Sequence, residues 1–364
     1  MQYLSSQPKL TVDIGPLLED QWTGIPVFTR RLVSSLLRHG GLDLRFSFNL
    51  VQFPPDRVKA ALTQGTGSFL REDFQSRAGT DYAVVDPTSP VLYPSNKGKA
   101  GLLPREASTV HDMSTLFMPE NHDPANVAHH LDHLSLELET DQAVFCISEA
   151  TQAALIAAFP SVAAKTRLLY QFADWPKNFE LMERNLPRLR LGRYAVVVGT
   201  IEPRKNLGLL INALPLPEVA RQKITFIVIG KKGWLVDSFM EGLTAEDRNS
   251  LIFSGFVSEF AKYRLIKGSE FLVFPSVYEG FGIPALEAMS LGKPVLAGRS
   301  SSLPEVVGDA GVYFDPLSPS DFASALAEIA DPRKLAELAP KAIEQNAAFG
   351  PERMAQPVVE WAMS

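Results

Sequence analysis

The chain has 364 residues, enough for two domains at about 150 residues per domain. Hydrophobic residues make up 46% and charged residues 21%, which excludes a disordered or fibrous protein. The formal net charge of −6, without a dense Lys/Arg block, argues against nucleic acid as a partner. One cysteine excludes a disulfide framework and fits a reducing compartment. The first residues lack a secretory signal pattern and no apolar run is long enough for a membrane span, so we expect a cytoplasmic protein.

The first half of the chain alternates short apolar runs with helical periodicity, a pattern typical of a parallel sheet covered by helices. A loop containing Gly24 follows the first predicted strand and precedes the first predicted helix. The predicted strands are Leu10–Ile14, Leu44–Phe48, Tyr82–Val85, Ser108–His111 and Ala143–Ile147, and the predicted helices are Pro26–Arg38, Pro124–Glu139 and Glu149–Ala158.

The second half restarts the same alternation after a proline-containing stretch, Phe172–Gly192, that breaks both periodicities and where we place the linker. Ligands of open α/β sheets bind beyond the carboxyl ends of the strands, so we expect the site in a cleft between the two domains. The predicted elements are strands Tyr194–Val198, Ile224–Ile229, Leu251–Phe253, Glu270–Phe274 and Pro294–Ala297, and a helix Asn206–Ala213.

The segment Glu270–Leu296 carries the richest motif, because a buried strand is followed by a glycine loop and then a helix. Gly280 and Gly282 leave the backbone bare before that helix, an arrangement suited to a phosphate or a sugar diphosphate. Glu279 and Glu287 stand eight residues apart and are candidates for holding sugar hydroxyls. The alternative is that Glu279 is an ordinary loop acid and Glu287 a solvated helix residue.

A second motif, VGTIEPRKNLGL at Val198–Leu209, places Gly199 and Thr200 at a strand end and Arg204 and Lys205 at the start of a helix. Adjacent cations there suit a diphosphate, whereas the alternative is a solvated helix start. Cations at a helix start oppose the helix dipole, and this local conflict favours the functional interpretation.

Three further features are weaker indications of a functional site. Gly255, Phe256 and Val257 follow a strand and could hold a base, although Phe256 also fits a core position. His111 ends a strand and could donate to a ligand, or be an ordinary hydrogen-bonded polar residue. The histidines within 129–133 lack both the glutamate of HExxH and a third ligand, so we predict no metal site.

Several stretches resemble one enzyme family. EGFGIPALE, at Glu279–Glu287, resembles the E-x7-E motif of retaining family 4 glycosyltransferases with the GT-B fold. GTIEPRKN, at Gly199–Asn206, resembles the donor-phosphate segment of the bacterial polysaccharide mannosyl- and rhamnosyltransferase branch. Similar stretches are TGIPVFTR at 23–30, SGFVS at 254–258 and SSLPEVVGDAGVYFDP at 301–316.

The resemblance implies the GT-B fold, an α/β architecture of two Rossmann-like parallel-sheet domains facing a cleft. Residues 1–178 would form the acceptor-side domain and residues 179–348 the nucleotide-sugar domain. The C-terminal segment 349–364 would cross back to the first domain.

The resemblance also assigns roles. Glu279 would contact the donor sugar hydroxyls, Glu287 the ribose and Lys205 the diphosphate. Arg204 would supply the charge that the family commonly places directly after the first glycine, where this chain has Thr200. His111 matches the first-domain histidine only loosely. The other implied donor-binding residues are Gly24, Gly199, Thr200, Gly255, Phe256, Val257, Gly280, Phe281, Gly282 and Ile283.

The implied reaction is metal-independent hexosyl transfer with retention, without a cofactor. GDP-mannose is the favoured donor, with dTDP-rhamnose or a UDP-hexose as alternatives. The acceptor would be a glycan or a polyprenyl-diphosphate-linked glycan. Peripheral association with the inner membrane face follows from that acceptor. The helix Pro26–Arg38 pairs an apolar stripe with a polar face that carries arginines, which fits either a sheet-packing helix with a solvated side or a membrane-binding surface.

Two other classes compete with this interpretation. An NADP-dependent oxidoreductase is suggested by G-F-G-I-P-A at 280–285, which fits G-x-G-x-x-A, but the next strand does not end in the required acid. A sugar-nucleotide-binding protein without transfer activity is the other, and the presence of Glu279, Arg204 and Lys205 argues against it.

Overall fold

Two separate sheets organise the chain in a computed structural model that describes residues 7–20, 22, 24–77, 84–98, 101–122, 124–187, 189–230 and 244–364. The first unit comprises the described residues up to Gln171 together with Gly350–Ser364, and the second unit comprises Phe172–Phe349. The unit boundary thus lies seven residues before the predicted one at residue 178.

The sheet of the first unit has seven strands among the described residues, in the order β3-β2-β1-β4-β5-β6-β7. All neighbouring pairs are parallel except β2 and β3, which form an antiparallel hairpin at one edge. The strands are β1 (Lys9–Asp13), β2 (Asp43–Phe48), β3 (Val51–Phe53), β4 (Val91–Tyr93), β5 (Glu106–Val110), β6 (Ala143–Cys146) and β7 (Thr166–Leu168). The helices are α1 (Ile25–His39), α2 (Pro55–Gln64), α3 (Ser68–Arg77), α4 (Ser114–Phe117), α5 (Pro124–Thr140) and α6 (Glu149–Ala158).

The sheet of the second unit is parallel throughout its described strands, in the order β10-β9-β8-β11-β12-β13. This is the 3-2-1-4-5-6 order of the Rossmann fold, and it reverses between β8 and β11. The strands are β8 (Tyr194–Val198), β9 (Thr225–Ile229), β10 (Leu251–Gly255), β11 (Leu272–Phe274), β12 (Val295–Gly298) and β13 (Gly311–Phe314). The helices are α7 (Asn178–Arg184), α8 (Leu207–Ala213), α9 (Pro217–Gln222), α10 (Ala245–Ser250), α11 (Glu259–Gly268), α12 (Ile283–Met289), α13 (Leu303–Val307), α14 (Pro319–Ile329) and α15 (Pro332–Ala347).

The last helix, α16 (Pro351–Met363), packs against α1 of the first unit. Trp361 is 1% exposed, and its ring meets Phe145 of β6 edge-on at a centroid distance of 5.9 Å. The indole Nε1–H of Trp361 donates to Gln142 Oε1 at 3.3 Å. The end of the described chain is therefore part of the core of the first unit.

The structure refines three sequence predictions of local structure. The prediction of strand Tyr82–Val85 falls partly on residues outside the described ones, and the strand paired with β1 is Val91–Tyr93. The proline-containing stretch 172–192 includes the helix α7. On α1 the expected polar face is partly buried, because α16 packs on this helix and Arg31 and Ser35 are only 4% and 2% exposed.

Candidate active site

A small cavity lies where the strand order of the second sheet reverses, at the carboxyl ends of β8 and β11. It has a volume of about 10 Å³ and is lined by Gly199, Thr200, Lys205 and Ser276, among others. The Ser276 hydroxyl is fully buried and has no hydrogen-bond partner among the described residues. A buried hydroxyl without a partner is costly unless a ligand or a water satisfies it. Sequence reasoning missed Ser276, although it directly follows the Phe274-Pro275 end of a predicted strand.

The segment from Gly199 to Asn206 is fixed by backbone conformation and by one side chain. Gly199 has φ +147°, a value that favours glycine. A 3-10 turn, Pro203–Lys205, follows, and Asn206 adopts the left-handed conformation at the start of α8. The Asn206 amide donates to Pro275 O at 3.0 Å and Pro316 O at 2.7 Å. These bonds tie the turn to the residues that follow β11 and β13.

Four charged side chains meet beside this cavity. Lys205 Nζ lies 2.5 Å from Glu279 Oε1, and Arg204 Nη1 lies 3.3 Å from Glu279 Oε2. The Arg204 Nε–H also donates to Glu202 Oε2 at 3.0 Å. The Glu279 side chain is 7% exposed, so this carboxylate is buried together with its two cations. The formal charges of the four groups cancel.

The loop that carries Glu279 is held by two serines. The Glu279 N–H donates to Ser301 Oγ at 2.7 Å. The Ser302 hydroxyl is buried and lies 2.9 Å from Glu279 O and 2.8 Å from Phe281 O, both of which accept from it. Ser301 has φ +44° and Gly282 φ +111°, so the backbone is strained at Ser301 and requires glycine at 282.

The predicted loop residues after Glu279 present mainly backbone. Gly280 and Gly282 have no side chain, and the ring of Phe281 is only 3% exposed, packing edge-on against Phe349. Ile283 opens α12, a helix of seven residues. Any ligand contact of Gly280, Phe281 and Gly282 would therefore come from their peptide groups.

Glu287 is not joined to the Arg204–Lys205 cluster by a described contact. It is buried on α12, and its Oε1 lies 2.7 Å from Lys262 Nζ of α11. Lys262 also lies 5.2 Å from the centroid of the Trp175 ring. The Trp175 Nε1–H donates to Ser290 Oγ at 3.0 Å. Sequence reasoning missed Lys262 and Trp175, because both partners are distant from Glu287 along the chain.

The residues at the end of β10 include Phe256, for which the sequence also allowed a position in the core. Phe256 is 69% exposed, so its ring is not part of the hydrophobic core. Gly255 O accepts from Gly230 N–H at 3.1 Å, which aligns the end of β10 with the end of β9. Val257 is partly exposed. The exposed ring of Phe256 therefore stands at the carboxyl edge of the sheet.

Gly24 and His111 lie in the first unit. Gly24 precedes α1 with φ +55°, and its carbonyl accepts from Phe28 N–H at 3.0 Å. The His111 ring meets Phe28 edge-on at 4.7 Å, and burial lowers the pKa of His111. The Nε2–H of the neutral ring donates to Pro94 O at 2.7 Å. With Nε2–H bonded to Pro94 O, the neutral His111 ring would offer Nδ1 to a ligand as an acceptor.

The histidines within 129–133 lie on α5. His130 Nε2 lies 2.8 Å from Asn96 Nδ2, and the side chain of His129 is outside the described ones. Within the described ranges no group of three His, Cys, Asp or Glu side chains is placed to hold a metal ion. In the same part of the chain, every helix is too short or too polar to cross a membrane.

Residues 184–347 match the model of the family described as glycosyl transferases group 1. The chain is 34% identical over 221 residues to an O-antigen chain mannosyltransferase B of Escherichia coli, covering 59% of this chain and 58% of that protein. It is 29% identical over 259 residues to the serotype-specific mannosyltransferase WbdA of Escherichia coli, covering 66% of this chain and 31% of that protein. The matches therefore span about half and about a third of these relatives' lengths.

Among solved structures, the chain is similar to Anabaena Alr3699/HepE in complex with UDP and glucose. The TM-score is 0.63 at 18% identity, and the match covers 98% of this chain and 100% of the other. The glycosyltransferase WaaG, involved in lipopolysaccharide biosynthesis, gives the same TM-score at 15% identity over 97% of this chain and 98% of that one. Together with the two Rossmann-like sheets, these likenesses confirm the predicted α/β fold class, that of GT-B glycosyltransferases.

Proposed function

We propose that this chain is a glycosyltransferase that moves a hexose from a nucleoside-diphosphate sugar to a glycan in bacterial polysaccharide biosynthesis. The observation that carries the proposal is the buried Glu279 between Arg204 and Lys205 at the point where the strand order of the second sheet reverses. Ligands of such sheets bind at this point, and two adjacent cations suit a diphosphate. The match of residues 184–347 to glycosyl transferases group 1 agrees with this assignment.

We assign the leaving diphosphate to Arg204 and Lys205. In the structure Glu202 and Glu279 form ion pairs with these two cations. A bound diphosphate would take the place of the carboxylates as the partner of Arg204 and Lys205. Glu279 would then be available to accept hydrogen bonds from sugar hydroxyls, and Ser276 to bond a phosphate oxygen. Because α12 has only seven residues, most of the charge stabilisation would come from the two side chains rather than from the helix dipole.

The proposed reaction proceeds with retention and without a metal. The bond between sugar C1 and the diphosphate oxygen breaks while the acceptor oxygen bonds C1 on the same face. The acceptor proton passes to the departing phosphate, so no protein nucleophile is required. In this scheme Glu287 holds the ribose. Lys262 positions the Glu287 carboxylate, and Trp175 donates to the Glu287 carbonyl and so positions this part of α12.

The donor we favour is GDP-mannose, because the curated relatives named above are mannosyltransferases. A rhamnosyl or UDP-hexose donor is the alternative, and the solved structure of HepE holds UDP. The peptide groups of Gly255 and Val257, with the exposed ring of Phe256, would contact the base; they fit either a purine or a pyrimidine.

We place the enzyme at the inner membrane face, but not through α1, whose Arg31 and Ser35 are buried. A better surface is an exposed apolar strip in the second unit, interspersed with the exposed Arg184 and Arg190. Leucines flanked by arginines suit an anionic lipid surface. The strip consists of Leu181, Met182, Leu186, Leu189 and Leu191.

A thermal-shift panel followed by turnover assays tests this proposal. GDP, UDP, dTDP and their sugars are compared, since a ligand at 100 times its Kd stabilises the fold by about 2.7 kcal/mol. We expect GDP and GDP-mannose to raise the Tm, and mannose to be transferred to an α-mannoside. Stabilisation by UDP alone would overturn the mannose assignment and leave the transferase assignment standing. Stabilisation by NADPH but by no sugar nucleotide would overturn both.

A further inference from the structure

The two carboxylates that pair with Arg204 differ in how deeply they are buried. The Glu279 side chain is 7% exposed and contacts both Arg204 and Lys205. The Glu202 side chain is 31% exposed, and its Oε2 lies 3.0 Å from Arg204 Nε. Water can solvate Glu202 when another anion takes its partner, whereas a buried carboxylate such as Glu279 loses a partner only at a high cost. Glu202 is therefore the carboxylate that a bound diphosphate displaces more easily.

The turn that carries Arg204 keeps Glu202 beside it. Glu202 directly precedes the 3-10 turn Pro203–Lys205, and its carbonyl accepts from Lys205 N–H at 3.0 Å. The Arg204 carbonyl accepts from Val277 N–H at 2.9 Å, which joins the turn to the residues after β11. Because a single residue separates Glu202 from Arg204, a displaced Glu202 carboxylate stays near the guanidinium at a high effective concentration. It therefore competes with any anion bound there.

Glu202 also decides the net charge of the cluster. Arg204, Lys205 and Glu279 together carry one positive formal charge, and Glu202 reduces the sum to zero. Near neutral pH a nucleoside diphosphate carries about one more negative charge than its sugar ester, because the sugar blocks an ionisable oxygen of the terminal phosphate. A carboxylate held beside the diphosphate therefore disfavours the product of transfer more than it disfavours the donor.

We infer that Glu202 speeds the release of the nucleoside diphosphate after transfer, by returning to Arg204 as an internal competitor of the product. The inference rests on the proposed function, since it takes Arg204 and Lys205 as the partners of the diphosphate. Glu202 acts through Arg204, so it is a positioning residue and takes no part in bond breaking. Its effect is to limit product inhibition.

The variant Glu202→Gln tests the inference, because it removes the charge and keeps the shape of the side chain. Titration calorimetry on the full chain gives the Kd of GDP and of GDP-mannose, with UDP and UDP-glucose as the alternative pair. We expect the variant to bind the diphosphate about 10-fold more tightly than the wild type, and the sugar nucleotide to gain less. The gain should shrink as salt is added, because Glu202 is partly exposed.

The sign of the change separates competition from a structural role. If Glu202 served only to hold Arg204 in place, Glu202→Gln would bind both ligands more weakly, and a misfolded variant would do the same. Displacement of the fluorescent mant derivative of the diphosphate by excess unlabelled diphosphate gives the dissociation rate directly. This rate should fall about 10-fold in the variant, in step with the Kd. An unchanged dissociation rate, or an unchanged or weaker affinity for the diphosphate, overturns the inference.

Glu270→Gln is the matched control. Glu270 Oε1 lies 2.7 Å from Arg193 Nε and the Glu270 side chain is 23% exposed, so this pair resembles that of Glu202 and Arg204. Arg193 and Glu270 precede β8 and β11, at the edge of the sheet opposite the cluster. The control loses the same charge and should bind the diphosphate as the wild type does.

Glu202→Asp is the conservative variant, since it keeps the charge on a shorter side chain. Its affinity for the diphosphate should stay close to that of the wild type. A gain in Glu202→Asp or in Glu270→Gln as large as the gain in Glu202→Gln overturns the inference.

The two proposals fail separately. If Glu202→Gln binds the diphosphate more tightly but no sugar nucleotide is turned over, the proposed transfer fails and the competition between Glu202 and the diphosphate stands. If sugar is transferred and the affinity of Glu202→Gln is unchanged, only the role of Glu202 fails. If neither the wild type nor the variant binds a nucleoside diphosphate, both proposals fail.

Discussion

Replacing Lys205 with alanine removes one of the two cations beside Glu279. The ammonium lies 2.5 Å from Glu279 Oε1 and its side chain is 17% exposed, so it acts in a partly desolvated site. A phosphate charge at about 4 Å from this cation interacts by roughly 4 kcal/mol at an effective dielectric of 20. Loss of one preorganised transition-state donor costs about 2.7–4 kcal/mol, so we expect kcat to fall about 10²- to 10³-fold. Initial rates with GDP-mannose at saturating acceptor measure the change.

Two comparisons separate catalysis from simple charge balance. Lys341→Ala removes an exposed lysine that pairs with Glu337 on α15, and its rate should equal that of the wild type. The double variant Lys205→Ala with Glu279→Gln removes the ion pair as a whole. If Lys205 served only to neutralise Glu279, the double variant would turn over as fast as Glu279→Gln alone. That equality, or full activity of Lys205→Ala alone, would refute the reasoning.

Three further results are expected. Ser302→Ala should lower the free energy of unfolding by about 1–3 kcal/mol and reduce kcat, because Glu279 O and Phe281 O lose a buried donor. Thermal melts measure the loss, and Ser324→Ala, which changes an exposed serine, should leave the Tm unchanged. Equal effects of the two variants would contradict this prediction. Turnover should survive EDTA and be unaffected by added Mn²⁺; strict Mn²⁺ dependence would contradict a metal-independent reaction. The protein should sediment with anionic liposomes at low salt, and replacing Leu186 and Leu191 with serine should weaken this binding about 10-fold. Undiminished sedimentation of the variant would rule out the leucine strip as the membrane-binding surface.

The sequence predicted the second unit best, for a physical reason. Strands buried on both faces are continuous apolar runs, and Tyr194–Val198 was found with its predicted bounds. Placing Arg204 and Glu279 after two such strands also placed them near each other, since parallel strands end at one edge of the sheet. The approach of Lys262 to Glu287 was not predictable, because it depends on how α11 packs beside α12.

The first unit was predicted less well. Its strand β4 has only three residues and lies between prolines, so no periodicity could mark it. The hairpin of β2 and β3 turns at Asn49 and Leu50, and the left-handed leucine is a conformation that its residue type does not suggest. The buried ion pairs of Lys97 with Glu106 and Asp141 were also missed, because these residues are far apart along the chain.

The placement of α16 has a consequence for synthesis on the ribosome. The first unit is interrupted by residues 172–349, and neither the packing of Phe145 on Trp361 nor the hydrogen bond between Trp361 and Gln142 can form until Trp361 has been translated. At ~5–20 residues per second, the intervening segment takes on the order of 10–35 s to emerge. During that interval the nascent first unit exposes the apolar surface of α1 that α16 later covers, whereas the second unit can already fold. The order of folding is therefore expected to run against the order of the sequence, and the half-finished first unit is the stage at which chaperones would be needed.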